Sequence, residues 1–371
     1  MKQNVQQLHL ENVNKIPVVT WRHLKMNGAD LQIPYPDIPP LEERPVPPLG
    51  PGYAVGPFAL STQERKKVLA IPSGGGPEVD AFVSASDNAG FLLRLDRYSL
   101  VEKPIEIAYD LHENPSLVDD TAILVGEGAQ ATVVQSYRST ADGVSRFHAG
   151  GTHVEVGLNG HLTLVQVQML DGSSIDFENT GFHLAQGATV SLVHVLLGGG
   201  KTFGNTKVVL EGDDSSFNLG CMYLADGTRL MDMNYVIEHR GKRTVSNITA
   251  RGALFDSASK VFRGTVDFKV GSSQSKGAQQ EYSLMFSPTV HNRSVPLILC
   301  GEEDVEGAHA VSTGRIDENA LFYLMSRGLD EALAKKNLVK AQFAPIAAMI
   351  TDEVLQNAVL AEVEQRMNRH E

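Results

Sequence analysis

The sequence predicts an all-β core of the β-solenoid kind, preceded by an extended arm and followed by a small helical unit. Three observations carry that prediction. Between residues 66 and 300 the chain is a succession of short β-rich runs broken by Gly, Asp or Asn, with almost no helical spacing. Examples are Ala122-Ile-Leu-Val, Ala131-Thr-Val-Val, His161-Leu-Thr-Leu-Val-Gln-Val, Thr189-Val-Ser-Leu-Val-His-Val and Lys207-Val-Val-Leu. Turn-then-strand units recur at Gly128, Gly160, Gly187, Gly227 and Gly252, about 25 to 32 residues apart with one gap of about 40, the loose spacing of stacked coils. Helix signals take over only after residue 314.

In chain order, residues 1–30 have room for a short helix. Residues 33–58 then carry nine prolines, from Pro34 to Pro57. Each removes a donor and fixes φ, so an extended, irregular arm lying on the surface is expected, the first unit closing near residue 65. The core is expected over 66–314. In a solenoid, alternate residues point into a long narrow interior and backbone bonds join successive coils, so stability comes from stacked neighbours. A β-sandwich yields similar short strands, but so many strands without a break favour the solenoid. In the last unit, 315–371, Asp317 is a good N-cap, Leu321, Leu324 and Met325 form an i, i+3, i+4 stripe, and Gly328 is well placed at C′. Asp330 caps a second segment from Glu331 to Phe343, which Pro345 is expected to interrupt. Asp352 opens a third, with Leu360, Val363 and Met367 on one side.

The formal net charge of −12 comes without a long Lys/Arg run, so the footprint of a nucleic-acid binder is missing. The only cysteines, Cys221 and Cys300, are far apart and outside any CxxC motif, which argues against a disulfide framework and fits a reducing cytosol. The first residues lack the basic-then-apolar order of a signal peptide, and no run approaches the about 18 apolar residues of a membrane span. A soluble, cytoplasmic protein without a membrane partner is expected.

Several motifs invite chemistry. Gly198-Gly-Gly-Lys-Thr202 resembles a phosphate-binding loop, but Val195 fills the first glycine position and a strand-like run follows, so it reads as a turn. Ser73-Gly-Gly-Gly76 lacks a strand-to-helix context and reads as a loop. His161, His183 and His194 lie in strand-like runs and are assigned no role. Asp213, Asp214, Asp226 and Asp232 suggest the acidic groove of a carbohydrate-active β-solenoid enzyme, although solenoid turns favour Asp for local hydrogen bonding. The densest set of potential ligands is Glu302, Glu303, Asp304, Glu306 and His309, with Cys300 directly before it. A thiolate, an imidazole and carboxylates within ten residues have the donor types to hold iron transiently. The alternative is that Cys300 ends an inward-facing strand as a small hydrophobe while the acids are solvated.

At these residues the sequence resembles the SufB/SufD family, scaffolds of the SUF iron–sulfur cluster assembly machinery. The resemblance rests on Glu303-Asp-Val-Glu-Gly-Ala-His309 and on Gly314-Arg-Ile-Asp-Glu-Asn-Ala-Leu-Phe-Tyr-Leu-Met-Ser-Arg-Gly328, with weaker similarity over 120–345 and at Thr20-Trp-Arg-His-Leu-Lys. It implies a right-handed parallel β-helix and a non-catalytic subunit. Such a subunit pairs through its β-helix with SufB or with a second copy of itself, and its C-terminal helices dock the ABC-type ATPase SufC. It further implies a transient iron–sulfur cluster or iron at the dimer interface near His309, with Cys300 and Glu306 as further candidate ligands, and flavin as a candidate cofactor of the assembled complex. Leu321, Phe322, Tyr323, Met325, Arg327 and Gly328 are the implied partner-binding set, and core packing between the tail helices competes for the stripe. An ungapped comparison anchored on Ser294-Val-Pro296 sets Glu281 where SufB carries its essential cysteine, and Gly307 stands where SufD-type sequences can carry one. The chain is more SufD-like.

Overall fold

The computed structural model describes residues 5–18, 26–41, 45–56, 66–68, 70–111, 115–139 and 144–368. The Thr20-Trp-Arg-His-Leu-Lys segment and parts of the proline-rich arm, including Pro57, lie outside them. Where a short helix was expected, β1 (Val5–Val13) pairs antiparallel with β2 (Ala29–Pro36). Leu8 and Leu10, two residues apart, put their apolar side chains on one face, which suits a strand rather than a helix.

Two sheets follow. The first contains β3 (Tyr53–Gly56), β4 (Leu92–Leu95), β6 (Ser116–Val125), β8 (Phe147–Val156), β10 (Ile175–Leu184), β12 (Lys201–Leu210), β14 (Leu230–His239), β16 (Ser259–Phe268) and β18 (His291–Cys300), side by side in that order. The second contains β5 (Ile105–Asp110), β7 (Gln130–Arg138), β9 (His161–Met169), β11 (Thr189–Leu196), β13 (Ser216–Ala225), β15 (Val245–Leu254), β17 (Ser275–Met285) and β19 (Val305–Arg315). Each strand from β4 onward bonds in parallel to the strand two along the chain, as in β10 with β12 and β11 with β13. Parallel pairing across alternating sheets is a β-solenoid of about seven coils and excludes the hairpin and Greek-key connections of a sandwich.

The corners explain the loose glycine spacing. One corner of successive coils holds a left-handed residue at Tyr98, Gly128, Asn159, Gly187, Asp214, Arg243 and Gln274, roughly 27 to 31 residues apart. These corners bond to one another, Gly128 N donating to Leu158 O, Asn159 N to Gln186 O and Gly187 N to Asp213 O. Gly199, Gly227 and Asp256 belong to the opposite corner. The gap of about 40 between Gly187 and Gly227 therefore joins two different rows of turns. Gly198-Gly-Gly-Lys-Thr202 is such a turn leading into β12, as its sequence predicts.

The outer face of the first sheet is covered by β1, β2 and α1 (Pro77–Ser86), whose Leu10, Val13, Ile33, Val79 and Val83 pack on Val118, Phe147, Phe177 and Phe203. Helix α1 lies within the span expected to be β only. Pro77 opens it, and Val79 and Val83, four apart, bury its inner side. The Ser73–Gly76 loop thus leads into a helix after all, tightly applied to the sheet: a Cβ at Gly74 would overlap the backbone of Asn205 and Thr206.

The second sheet is covered by α3 (Glu331–Ala347) and α4 (Glu353–Met367). Their Val339, Phe343, Ile346, Val359 and Val363 pack on Val165, Val167, Val193, Val195 and Met222. Asp330 accepts from Leu333 N and Asp352 from Leu355 N, both at 2.7 Å, as their N-cap positions predict. Pro345 does not end α3, which continues to Ala347. So close to the helix end the ring forfeits little backbone bonding, and Ile346 and Ala347 gain burial against the sheet. Between β19 and α3 lies α2 (Glu318–Ser326), which buries none of its residues. Among the described residues no helix is long and apolar enough to cross a membrane.

Candidate functional site

Among the described residues the last coil has no successor. Strands β18 and β19 end their sheets there, so each leaves one edge of N–H and C=O groups without a neighbouring described strand. Alternation fixes which side chains of these strands face the interior. Asn292 Nδ2 donates to Thr313 Oγ1 across the coil at 3.2 Å, Ser294 accepts from the interior Lys260, and a Cβ at Gly307 would lie 3.0 Å from Ile298. Hence Asn292, Ser294, Pro296, Ile298 and Cys300 share the inner face of β18, and Gly307, His309, Val311 and Thr313 that of β19.

His309 is in register with Gln279 of β17, on the inner face but exposed, because no described residue stacks above it. Cys300 is also inward and exposed, at the end of β18 beside Phe268. The two do not converge. The Asn292–Thr313 and Ile298–Gly307 contacts bracket Pro296 opposite His309, and Cys300 lies four residues farther along, about 13 Å at roughly 3.3 Å per residue. Glu306 points to the outer face and pairs with Lys276 at 2.9 Å, both side chains exposed. Glu302 accepts from Gly271 N and Glu303 N, each at 3.0 Å, and these backbone donors hold its carboxyl below the usual range. Among the described residues no three His, Cys, Asp or Glu side chains meet as a metal cage. The inner face of the last coil therefore presents one imidazole and, well apart from it, one thiol.

Directly beneath lie charged residues to which the sequence reading gave no role. Glu281 is buried. It accepts from Tyr223 Oη at 2.9 Å and forms an ion pair with the equally buried Lys260, whose Nζ also donates to Ser294 at 3.1 Å. Burial pulls the Lys260 pKa down, opposed by the Glu281 charge. Gln279 is buried too, and neither of its amide atoms finds a partner among the described residues. Such an amide is costly, about 1–3 kcal/mol for each unmet group.

Deeper in, Cys221 Sγ lies 3.2 Å from Tyr235 Oη, which is 2.9 Å from His194 Nδ1, while His194 Nε2 is 2.8 Å from Glu178. Burial pushes the Cys221 thiol up to about 12, which makes it an inert core thiol. His148 sits between Asp176 at 2.6 Å and Asp119 at 2.8 Å, all three inaccessible to solvent. The usable signal was alternation: Lys260 shares its strand face with Phe262, Val266 and Phe268, all core residues, so an inward charge was readable there.

The aspartates that suggested carbohydrate cleavage are matched by arginines. Arg243 lies 2.7 Å from Asp214 and 3.5 Å from Asp213, Arg229 lies 2.8 Å from Asp226, and Arg263 pairs with Asp232. A glycosidase needs two opposed carboxyl groups with separate acid and base roles; these four are tied into cation pairs at corners and strand faces.

The tail presents a second surface. Phe322 is 73% exposed, Tyr323 56% and Met325 42%, with Leu321 half-buried beside them. The Arg327 guanidinium lies over the Tyr323 ring, 5.3 Å from its centroid, and Gly328 takes a left-handed φ of 96° that ends the helix. The core between α3, α4 and the sheet is built from other residues, so Phe322 and Tyr323 are left outside it.

Residues 109–342 match the family described as SUF system FeS cluster assembly, SufBD core domain. The chain is 25% identical over 292 residues to the iron-sulfur cluster assembly protein SufD of Bacillus subtilis, covering 78% of this chain and 67% of that one. It is 26% identical over 243 residues to SufD of Escherichia coli, covering 66% and 57%, so it spans less than two thirds of that protein's length. A SufBD family iron-sulfur cluster assembly protein of Mycobacterium bovis is 25% identical over 343 residues, covering 86% and 84%.

Proposed function

This chain belongs to the SufBD family, and we propose that it is a SufD-type, non-catalytic scaffold of iron–sulfur cluster assembly that works as one half of a β-helix pair. The observation that carries the proposal is the uncapped last coil. Two unpaired strand edges are a ready template for a second β-helix, either a SufB-type paralogue or another copy of this chain. Pairing there would close the open end over His309 and bring it toward donors of the partner. Iron or a nascent cluster is the cargo of that interface. A lone imidazole, with Cys300 at a distance, provides a donor set weak enough to release what it holds. Glu306, committed to Lys276 on the outer face, would have to give up that pair to ligate.

In this reading α2 is the contact for a SufC-type ABC ATPase, with Leu321, Phe322, Tyr323 and Met325 as apolar anchors and Arg327–Gly328 closing the helix that presents them. The two free thiols suit the cytoplasm. Flavin, if used, belongs to the assembled complex in this reading; of the chain's clefts, one of about 540 Å³ beside Tyr35 has Asp87 and no cation in its lining, and one of about 590 Å³ between α3 and α4 has its Lys340 paired with Glu364 at 2.7 Å.

The test is co-purification of the full chain with a SufC-type ATPase. Phe322→Ala with Tyr323→Ala removes exposed rings only, so the fold should persist while recovery of the ATPase drops at least tenfold, as for an interface hot spot. Undiminished recovery would remove α2 from the contact.

A further inference from the structure

We propose that Gln279 is a positioning residue for His309, fixing which ring nitrogen faces the open end; the proposal rests on the function argued above. Gln279 and His309 are register partners on β17 and β19, both on the inner face, so their side chains stack on adjacent rungs about 4.8 Å apart. Gln279 is 4% exposed, and neither Oε1 nor Nε2 has a partner among the described residues. His309 makes no hydrogen bond among them either.

The surroundings direct the amide to that rung. A Cβ at Gly264 would lie 2.5 Å from Gln279 Oε1, so the carboxamide reaches across the interior into room that only a glycine leaves. One rung further, Gly264 is followed by Pro296, which stands opposite His309 and has no backbone N–H to offer. Glu281, two residues along the same face, also keeps an unmet oxygen among the described residues, but the polar side chain on the rung directly above the Gln279 amide is the imidazole. Rotation of the exposed ring closes a bond in which Oε1 accepts the ring N–H and the unprotonated nitrogen is turned outward as the donor for iron. A hydrogen bond of this kind sets the tautomer of a ligating histidine.

The experiment reads the ring rather than the cluster. In the full-length chain labelled with ¹⁵N-histidine, with the His309 signals assigned by their loss in His309→Gln, one neutral tautomer should dominate by roughly tenfold, the worth of one hydrogen bond. Gln279→Leu should bring that ratio to the value of an exposed histidine, and Gln279→Glu, which keeps the acceptor, should retain the dominant form. Gln279→Met serves the same purpose should the branched Leu disturb packing. A purely structural Gln279 would shift the unfolding midpoint and leave the His309 tautomer ratio untouched. An identical tautomer ratio in wild type and the Leu or Met variant would overturn the proposal. Should His309→Ala leave cluster yield unchanged while the tautomer responds to Gln279, His309 leaves the proposed cluster site and the positioning stands.

Discussion

Replacing His148 with Leu is expected to lower folding stability by about 3–5 kcal/mol at neutral pH. The ring is wedged between Asp119 and Asp176 with no solvent contact, and its removal leaves two buried carboxylates without their cation. Burial alone would keep the imidazole neutral, but the hydrogen bonds to both carboxylates outweigh it and raise the pKa to about 10. The folded value exceeds the unfolded one near 6.5, so this stabilisation is fully present below pH 6.5 and is lost as pH rises through about 10. Asp119, raised by burial to about 6, acts in the same sense: its contribution is present below 3.8 and lost as pH rises through 6. His239 acts oppositely. Burial lowers it to about 4, so its contribution is present above 6.5 and lost as pH falls through 4, outside the alkaline window. Lys260, lowered by burial, works against this trend in the same window, so the urea midpoint of the wild type should decline from pH 7 to 10 relative to that of a variant without the triad's charges. Combining His148→Leu with Asp119→Asn and Asp176→Asn should recover much of the stability and flatten that decline, since no unpaired charge remains buried. A single variant within about 1 kcal/mol of wild type would show that the triad carries no net weight.

The fold was legible where the local pattern repeats. Runs such as Thr189–Leu192 alternate cleanly, and the N-caps Asp317, Asp330 and Asp352 all hold their helices as expected. The strict period was hidden because glycine marks only some corners. Asn159, Asp214, Arg243 and Gln274 take the same left-handed turn, so a search for glycine sees a broken repeat where the backbone has a regular one. The start of the arm departs from the expectation for a different reason. Prolines argue against regular structure, yet β2 holds Pro34 and Pro36 in a two-stranded pair that needs few of its N–H groups.

At the candidate site, type and proximity in sequence were visible, and direction was not. Glu306, Gly307 and His309 lie within four residues, but the strand's two-residue period sends Glu306 outward and His309 inward. Cys300 and His309 look adjacent along the chain, and the turn between β18 and β19 leaves them in one coil but about 13 Å apart along the strand direction. The polar groups beneath, Gln279, Lys260 and Glu281, belong to earlier coils and approach only through stacking, which no local motif reveals.

The second large effect concerns His309. Its side chain is exposed and makes no internal hydrogen bond among the described residues, so His309→Ala should leave the unfolding midpoint of the chain unchanged. Its place on the inner face of the uncapped coil makes it the imidazole that a partner β-helix would cover. On the proposed function, loss of this imidazole from so sparse a donor set should reduce cluster retention by at least about tenfold, the scale on which even supporting groups of a metal site act. The decisive measurement is the visible absorbance of the iron–sulfur cluster per complex, after anaerobic reconstitution with the β-helix partner and the ATPase, for wild type and His309→Ala side by side. A folded, fully assembled variant that has lost most of this absorbance is the expected result; a variant complex carrying the wild-type amount of cluster would contradict it.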